Sequence, residues 1–329
     1  MKTYHWGILG LGSIAHKFAT ALAATERGKL ISVGSRSAEK AKSFGEQYGA
    51  ESFYGNYEQL IKDENVEIIY IATPHPLHYE YTRKCLEAGK HVLCEKPITI
   101  NSAQFEELKD LAASKKLFYM DALWTRFLPH IEKMLEYIQN KRLGEIIAIS
   151  ADFGIKPPRN PVGRLFNPEL GGGSILDIGI YPIFLSLLIL GYPDEISVSS
   201  LIGDTGVDET CGILFRYNSG AIASLFSTFL ANTKTAAEIA GTEGRIELHR
   251  KFFAPTSLTF IPESGEKEVY SFSIKSNGYE FEAEEVMRCL DDGMTESPRL
   301  SLKFTSELMR LLDEVRMKAG MLYKEDQNI

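Results

Sequence analysis

The chain is poor in cysteine and carries no excess of basic residues. Its four cysteines, Cys85, Cys94, Cys211 and Cys289, form no C-x-x-C pair and have no histidine partner at zinc spacing. No metal site is therefore implied, and reduced thiols are expected. Lys and Arg number 36 against 44 Asp and Glu, and the net charge of −8 argues against a nucleic-acid partner. The amino terminus begins directly with a predicted strand and leaves no room for a signal peptide, which predicts a cytoplasmic protein.

No hydrophobic run is long enough to span a bilayer. The most apolar stretch, Ile178–Tyr192, falls short of the roughly 20 residues that a membrane helix needs, and Pro182 and two glycines interrupt it. We therefore expect a buried core helix there and no membrane partner. Hydrophobic residues make up 44% of the chain and charged residues 24%, values typical of a globular protein, and 329 residues predict two domains.

A glycine-rich motif lies near the amino terminus, between a predicted strand and a predicted helix. The strand is Tyr4–Leu9, the helix is His16–Ala24, and the residues between them read G-x-G-x-x-A. This context is the one that a dinucleotide-binding turn requires, since its glycines let the backbone approach a pyrophosphate at the helix N-terminus. The alternative is a glycine-rich turn with no ligand. Cofactor contacts are predicted at Gly10, Gly12, Ser13, Ile14 and Ala15.

The end of the next predicted strand, Leu30–Gly34, indicates which dinucleotide is bound. An NAD site normally has an acidic residue there, which binds the ribose 2′-hydroxyl. This chain has Ser35, Arg36 and Ser37 instead. A guanidinium and two hydroxyls suit a phosphate dianion, so NADP is predicted in preference to NAD. Arg36 could instead lie over the adenine ring.

Strands and helices alternate through the first 122 residues, which predicts an α/β Rossmann domain. The pattern indicates a doubly wound, mostly parallel sheet of six strands, of which five can be assigned to ranges. The strands beyond the first two are predicted at Glu67–Ala72, His91–Cys94 and Leu117–Met120, with helices at Ala38–Tyr48, Tyr57–Lys62, Leu77–Ala88 and Ser102–Lys115. The loop Thr73, Pro74, His75 and the loop Glu95, Lys96, Pro97 should both follow the nicotinamide half of the cofactor crevice.

Lys96 is the most informative residue of these two loops. It stands at the carboxyl end of a strand, where open α/β sheets bind their ligands. Pro97 fixes its own φ and biases Lys96 away from helix, so the ammonium group is held on a stiff corner. A stiff corner suits a group that meets a reacting atom. The alternative is a surface turn with a solvated lysine.

The second half of the chain has a different pattern. Short runs with alternating polarity predict an antiparallel or mixed open sheet in an α+β domain, with a helix at Gly172–Leu190. The predicted strands are Glu145–Phe153, Thr210–Tyr217, Ala221–Leu230, Ala236–Ala240 and Arg245–Leu248. The domains are predicted as 1–122, which binds the dinucleotide, and 123–329, which binds substrate and dimerises. A last helix at 303–318 could pack on either domain.

Asp177 and Tyr181 are the candidate site residues of this second half. They are four residues apart, so on a helix their side chains share one face. An aspartate among isoleucine, leucine and glycine is unfavourable to bury without a partner. The pair therefore predicts a polar cluster that could work on a hydroxyl or carbonyl group together with Lys96. The alternative is that Asp177 braces the helix and Tyr181 fills the core.

Four sequence strings resemble those of a known family. The strings GLGSIA, ATPHPLHYE, CEKPIT and GGGSILDIGIYP are similar to those of the glucose–fructose oxidoreductase / inositol dehydrogenase / rhizopine-catabolism family of NAD(P)-dependent oxidoreductases. ALWTRF, RLFNPELGGG and GTEGRI further resemble its branch of dimeric dihydrodiol dehydrogenases and NADP-linked D-xylose dehydrogenases. The resemblance extends over almost the whole chain.

The resemblance implies roles for the candidate residues. Lys96 and Tyr181 would work at the reacting oxygen, and Asp177 would position them. Glu95 would help to hold the cofactor, and Trp124 and Phe153 would line the substrate pocket. Tyr181 stands where the wider family has a histidine, which supports the dihydrodiol and xylose branch. His75 is expected near the site without an assigned role.

The implied activity is a reversible hydride transfer between NADP and a hydroxyl-bearing carbon of a sugar or trans-dihydrodiol. The family also implies at least a homodimer, formed mainly by residues after 123. The alternative function is a cofactor-binding sensor or regulatory protein that catalyses nothing. Such a protein would be expected to lose Lys96 or the Asp177–Tyr181 pair, and this chain keeps all three.

Overall fold

The computed structural model describes residues 2–328 as two structural units. Unit 1 consists of Met1–Trp124 and Ile274–Ser306, and unit 2 consists of Thr125–Ser273 and Glu307–Ile329. Each unit has its own β-sheet and its own buried core.

The described part of unit 1 contains a sheet of six parallel strands in the order β3-β2-β1-β4-β5-β6. Its order reverses between β1 and β4, the point at which doubly wound sheets bind ligands. The strands are β1 Tyr4–Leu9, β2 Gly28–Gly34, β3 Ser52–Tyr54, β4 Ile68–Ile71, β5 His91–Glu95 and β6 Tyr119–Ala122. The connecting helices are α1 Ser13–Ala23, α2 Ala38–Tyr48, α3 Tyr57–Ile61, α4 His78–Glu87 and α5 Ser102–Lys115.

The predicted doubly wound parallel sheet is thus confirmed. The strand without an assigned range is β3, which has only three residues and is too short to show a hydrophobic pattern. Helix α1 begins at Ser13, three residues before the predicted start, so the glycine turn leads directly into it. Three of the other helices begin where a polar side chain accepts a backbone N–H bond, namely Ser37 before α2, Asn56 before α3 and Asn101 before α5.

Residues 274–306 lie in unit 1, although the division predicted from sequence placed them in the second domain. They contain helix α8, Glu280–Asp291, which sequence patterns did not reveal. Its last residue, Asp291, accepts hydrogen bonds from Tyr4 (2.8 Å) and from Arg27. The amide of Asn277 donates to the carbonyl oxygen of Lys17 at 2.9 Å. These partners are more than 250 residues apart in sequence, so no local pattern could assign the segment.

The described part of unit 2 contains a mixed sheet of eight strands in the order β14-β13-β12-β11-β7-β10-β9-β8. All neighbours are antiparallel except β7 and β10, which are parallel. The strands are β7 Ile146–Gly154, β8 Glu195–Ile202, β9 Asp208–Arg216, β10 Ile222–Thr228, β11 Ala237–Gly241, β12 Gly244–Leu248, β13 Leu258–Pro262 and β14 Glu268–Tyr270. Sequence analysis predicted the mixed sheet correctly and found five of these strands, missing β8, β13 and β14.

Three helices accompany the sheet: α6 Pro129–Gln139, α7 Ile180–Leu190 and α9 Leu302–Ala319, whose residues from 307 onward belong to unit 2. Helix α6 was not predicted. The helix predicted at Gly172–Leu190 is instead a π-helical turn, Ile175–Gly179, followed by α7. The stretch Pro168–Leu190 is long and apolar enough for a membrane span, but 83% of its most apolar 18-residue window, with a mean hydropathy of 2.0, is buried, as in a core helix.

Candidate functional site

The glycine turn after β1 leaves room for a ligand at the N-terminus of α1. Gly10 has φ +92°, and a Cβ atom there would lie 2.8 Å from the backbone of Ala72 on the neighbouring strand segment, so only glycine fits. A Cβ at Gly12, in contrast, would meet nothing within 4 Å. Gly12 has no side chain to cap α1, and Ser13 is exposed beside it. The first N–H groups of α1 therefore face an accessible space, as a pyrophosphate site requires.

The serines after β2 shape the next loop. The Ser35 hydroxyl accepts the N–H of Ser37 at 3.2 Å, and the Ser37 hydroxyl accepts the N–H of Lys40 at 3.2 Å. Both hydroxyls keep a proton to donate to a phosphate. Arg36 is exposed between them. Burial raises the pKa of Tyr57, and a hydrogen bond and positive charge from Arg36 partly oppose this rise. These donors fit a 2′-phosphate.

The loop after β4 is joined to the loop after β5 by a histidine. His78 is fully buried, and its ring nitrogens lie 2.8 Å from the carbonyl oxygens of Thr73 and Pro97. Burial lowers the pKa of His78, and its hydrogen bonds to the carbonyl oxygens of Pro97 and Thr73 oppose this fall. The hydroxyl of Thr73 is buried with no hydrogen-bond partner among residues 2–328, so it remains available to a ligand. Pro74 and His75 are half-buried, and the His75 ring lies 5.7 Å from that of His78.

Lys96 follows β5 in a half-buried position, and its peptide bond to Pro97 is cis. Glu95 is buried beside it, where it accepts the hydroxyl proton of Tyr70 and, at 3.2 Å, the N–H of Lys96. The Glu95 side chain is therefore held by the sheet. The predicted corner brings a cation and a fixed carboxylate together next to the switch point of the sheet.

Two buried acids near this corner were missed by sequence analysis. The carboxyl oxygens of Asp121 in β6 and of Glu282 in α8 have no hydrogen-bond partner among residues 2–328. Burial, followed by the charge of Glu95, raises the pKa of Asp121 well above its ordinary value, and Lys96 opposes the rise. Burial, Glu95 and Asp121 likewise raise the pKa of Glu282. Both acids therefore favour their neutral form more strongly than an exposed carboxyl group does.

Trp124, at the end of unit 1, is 6% exposed. Its ring stacks on that of Tyr279, with centroids 4.1 Å apart and an interplanar angle of 14°. Tyr279 comes from the segment 274–306 and was not predicted as a site residue. The pair offers a flat apolar edge of the kind that binds a sugar face or an unsaturated ring.

In unit 2, the π-helical turn carries Asp177, and Tyr181 follows it. Asp177 is 6% exposed, and its Oδ1 accepts a hydrogen bond from Nη1 of Arg164 at 2.9 Å. Arg164 is thus the partner that a buried aspartate requires. Tyr181 is 5% exposed, so it too lies at the edge of the core. π-Helical turns are rare and often occur at functional sites, which suits this position.

An aromatic cluster surrounds Tyr181. The ring of Phe153, at the end of β7, lies 5.7 Å from that of Tyr181 and 4.2 Å from that of Phe253, on which it stacks. Phe253 is also 5.0 Å from Tyr181. Its loop is fixed because Thr125 donates to the Phe253 carbonyl oxygen at 2.7 Å. Sequence analysis found Phe153 but missed Phe253. The doubled phenylalanine in a short loop was the available signal.

The predicted residues thus form two groups, one in each unit. Unit 1 brings together the loops after β1, β2, β4 and β5 at the carboxyl edge of one sheet, and unit 2 brings Asp177 and Tyr181 together with Phe153. The residues that sequence analysis missed are Tyr70, His78, Asp121, Tyr279 and Glu282 in unit 1 and Arg164 and Phe253 in unit 2.

Two family models match the chain. Residues 4–122 match the oxidoreductase family with an NAD-binding Rossmann fold, and residues 131–247 match the GFO/IDH/MocA C-terminal domain. Together the two models cover more than half of the chain.

Relatives and solved structures match over nearly the full length. The trans-1,2-dihydrobenzene-1,2-diol dehydrogenase of Xenopus laevis is 35% identical to this chain, over 97% of this chain and 98% of its own length. The protein of the same name from Homo sapiens is 34% identical, over 98% of both chains. The 3-ketoreductase KijD10 from Actinomadura kijaniata, solved with NADP and TDP-benzene, is 27% identical over 98% of this chain and 99% of its own, with a TM-score of 0.87. The motifs, the two sheets and these matches agree, and the chain belongs to the GFO/IDH/MocA family of oxidoreductases.

Proposed function

We propose that the protein is an NADP-dependent dehydrogenase that transfers hydride between the nicotinamide and a hydroxyl-bearing carbon of a sugar or trans-dihydrodiol. The observation that carries this proposal is Lys96, a half-buried cation beside the fixed carboxylate of Glu95 at the carboxyl edge of a dinucleotide-binding sheet. The relatives named as dihydrodiol dehydrogenases and the NADP complex of KijD10 support it.

The residues of each unit have distinct tasks in this proposal. Bound NADP⁺ would supply the hydride acceptor. The first N–H groups of α1, with Arg36, Ser35 and Ser37, hold its phosphates. Lys96 and Tyr181 accept or return the proton of the substrate hydroxyl. Asp177, which accepts a hydrogen bond from Arg164, orients Tyr181.

Aromatic side chains support the choice of substrate. The Phe153–Phe253 stack in unit 2 and the Trp124–Tyr279 stack in unit 1 both suit a flat or cyclic substrate. A panel of sugars and trans-dihydrodiols with NADP⁺, followed by NADPH absorbance, tests the function. Turnover of a member of either class is expected. Tight NADPH binding without any turnover would instead indicate a sensor protein.

Removing the guanidinium of Arg36 tests the choice of cofactor. Arg36→Ala is expected to weaken NADP binding by about 1.5–3 kcal/mol, the contribution of a charge-assisted hydrogen bond to phosphate. The affinity for NAD should change little, because NAD has no 2′-phosphate. Isothermal titration with both cofactors measures the two effects. Lys42→Ala is the control, since it removes an exposed positive charge from α2 at a distance from the loop. Equal losses for NADP and NAD would show that Arg36 only stacks on adenine.

We further propose that the protein is a cytoplasmic homodimer. One face of the unit 2 sheet supports the dimer, because Leu201, Leu214, Ile222 and Phe226 lie on the same face of three neighbouring strands and are 37–52% exposed. On β9 and β10 the residues of the opposite face are mostly buried, where both strands contact the π-helical turn and β10 also contacts α7. Exposed apolar patches of this kind are typical of protein interfaces. The four buried unpaired cysteines are compatible with a reducing compartment.

A charge placed on this sheet face should break the dimer. Leu214→Arg puts a guanidinium in the middle of the apolar face, and its desolvation should raise the dimer dissociation constant by at least about tenfold. Light scattering at micromolar concentration should give a dimer mass for the wild type and a lower mass for the variant. Val162→Arg, at a loop residue that is 76% exposed, is the control. A wild-type monomer would refute the proposal.

A further inference from the structure

The helix that carries Asp177 and Tyr181 begins at an unusual turn. Gly171 and Gly173 have φ values of +70° and +124°, and the π-helical turn Ile175–Gly179 follows them directly. Both features require support from the surrounding structure, because neither the left-handed glycines nor the wide π turn is stable by itself. The contacts that hold this turn therefore determine where Asp177 and Tyr181 lie.

A fully buried carboxylate supplies the first contact. Asp208, the first residue of β9, accepts hydrogen bonds at Oδ2 from the Ser174 hydroxyl and from the N–H of Ile175, both at 2.7 Å. Ser174 is also 2.9 Å from the hydroxyl of Ser227 in β10. An acceptor at this position satisfies an N–H group that the first helical turn leaves free. A negative charge there also interacts favourably with the positive end of the helix dipole.

The turn packs directly against this carboxylate. A Cβ atom at Gly173 would lie 2.4 Å from Oδ1 of Asp208 and 3.2 Å from the hydroxyl oxygen of Tyr323. Residue 173 must therefore be glycine for two reasons, its positive φ and the close approach of these two side chains.

The carboxyl-terminal segment supplies the second contact. Tyr323 is 3% exposed, and its hydroxyl donates to the carbonyl oxygen of Gly172 at 2.5 Å. Its own N–H donates to Oδ2 of Asp326 at 2.8 Å, and Asp326 also accepts Nη1 of the buried Arg316 at 2.7 Å. These bonds connect the segment after α9 to α9 itself. The Tyr323 side chain extends from this segment to the glycine turn.

We propose that Asp208 and Tyr323 are positioning residues, which together hold the Gly171–Gly173 turn so that Asp177 and Tyr181 keep their working geometry. This inference rests on the proposed function, because it takes Asp177 and Tyr181 as residues of the reaction. Asp208 acts from the start of β9 on Ser174 and Ile175, which follow the glycine turn directly, and Tyr323 acts from the segment after α9 on Gly172 within it.

The hold by Asp208 depends on pH. Burial raises the pKa of Asp208 to about 6, although the bonds from Ser174 and Ile175 favour its charged form. Its ionisable neighbours are Cys211 on β9 and Tyr323, and burial, followed by the charge of Asp208, raises the pKa of both. Asp177 also faces Tyr323 and raises its pKa. Above pH 6 the closed site has to hold a charged carboxylate, which burial disfavours, and protonation below pH 6 removes this cost while a carbonyl oxygen remains as an acceptor.

Hydrogen exchange of the segment 171–181 tests the proposal without any turnover. Tyr323→Phe removes only the hydroxyl, and we expect amide exchange in this segment to become about five- to tenfold faster. Asp208→Ala should have a larger effect. Asp208→Asn keeps an acceptor oxygen for Ser174 and Ile175 and should restore slow exchange. Tyr217→Phe is the matched control, since Tyr217 is 4% exposed and loses a bond to Ser186 of 2.8 Å farther along α7.

Kinetics and pH supply the second readout. In Tyr323→Phe, kcat should fall by about five- to tenfold while the KM for NADP stays unchanged. In the wild type, exchange of 171–181, corrected for the intrinsic rate, should slow as pH falls through about 6, because the raised pKa means that protonation favours the closed site, and Asp208→Asn should lack this step. If Asp208→Ala does not fold, Tyr323→Phe and Asp208→Asn still decide the question.

The outcomes separate this inference from the proposed function. Unchanged exchange of 171–181 in Tyr323→Phe would overturn the positioning role, whatever the activity. Faster exchange with unchanged kcat would also overturn it, because the turn would then not matter for turnover. Faster exchange together with a lower kcat supports it. Failure of the proposed function would appear elsewhere, as normal turnover in Lys96→Met.

Discussion

Replacing Lys96 by methionine is expected to lower kcat by about 10²–10⁴-fold, the usual contribution of general acid–base catalysis. Methionine keeps most of the aliphatic length and removes the ammonium group. Lys96 is only half-buried, and Glu95 keeps its hydrogen bond from Tyr70 in the variant. The fold and the cofactor affinity should therefore survive. Steady-state kinetics together with NADP titration measures both effects.

A second lysine provides the control for this substitution. Lys90, just before β5, is 9% exposed, and its ammonium donates to the carbonyl oxygens of Asp63 and Val66 at 2.6 and 2.7 Å. Lys90→Met should lower the melting temperature, because it leaves these buried carbonyls unpaired, and should leave the kcat of folded protein unchanged. Near-normal turnover in Lys96→Met would show that the Glu-Lys-Pro corner is structural.

Replacing Tyr181 by phenylalanine should also reduce turnover, by an amount that identifies the proton carrier. If Tyr181 carries the proton, kcat should fall by about 10²–10⁴-fold. If it only donates a hydrogen bond, the loss should be about tenfold. Tyr192→Phe is the matched control, since its hydroxyl bonds Glu314 at 2.5 Å just beyond the end of α7. Equal kcat values for Tyr181→Phe, Tyr192→Phe and the wild type would remove Tyr181 from the mechanism.

The double variant shows whether Lys96 and Tyr181 serve one oxygen. When two groups act on the same atom, removing both raises the activation barrier by less than the sum of the two separate increases. The effects of independent groups are additive. We expect the Lys96→Met/Tyr181→Phe enzyme to be clearly less impaired than the product of the two single effects. Strict additivity would indicate that the two residues act in different steps.

The amino-acid sequence by itself determined the features that depend on neighbouring residues. The turn at Gly10 and Gly12 has a recognisable spacing because a tight strand-to-helix connection needs small residues at fixed positions. The basic end of β2 at Arg36 was visible for the same reason, since a residue predicted to contact the cofactor there lies at a fixed distance from the glycines. The five assigned strands of unit 1 are buried apolar runs between turns, and such runs are local patterns.

Only the tertiary structure decided which distant residues support these features. Segment 274–306 returns to unit 1 because Asp291 and Asn277 bond residues near the amino terminus, and no local pattern encodes such a contact. The acids Asp121 and Glu282 look like ordinary polar residues in sequence, and the rise of their pKa values follows from burial and from the nearby charge of Glu95.

The helix that carries Asp177 and Tyr181 shows both what the local sequence determines and what only the tertiary structure decides. Its four-residue spacing and its apolar composition predicted a buried helix with one polar face, and this part was local. Its first turn is π-helical, and it is held by Asp208 and Tyr323, which lie 34 and 151 residues from their bonded partners Ser174 and Gly172. Contacts across such separations form only when the sheet and the carboxyl-terminal segment come together. The sequence could therefore name candidate site residues, which remain a prediction, whereas the contacts that hold them could not be read from it.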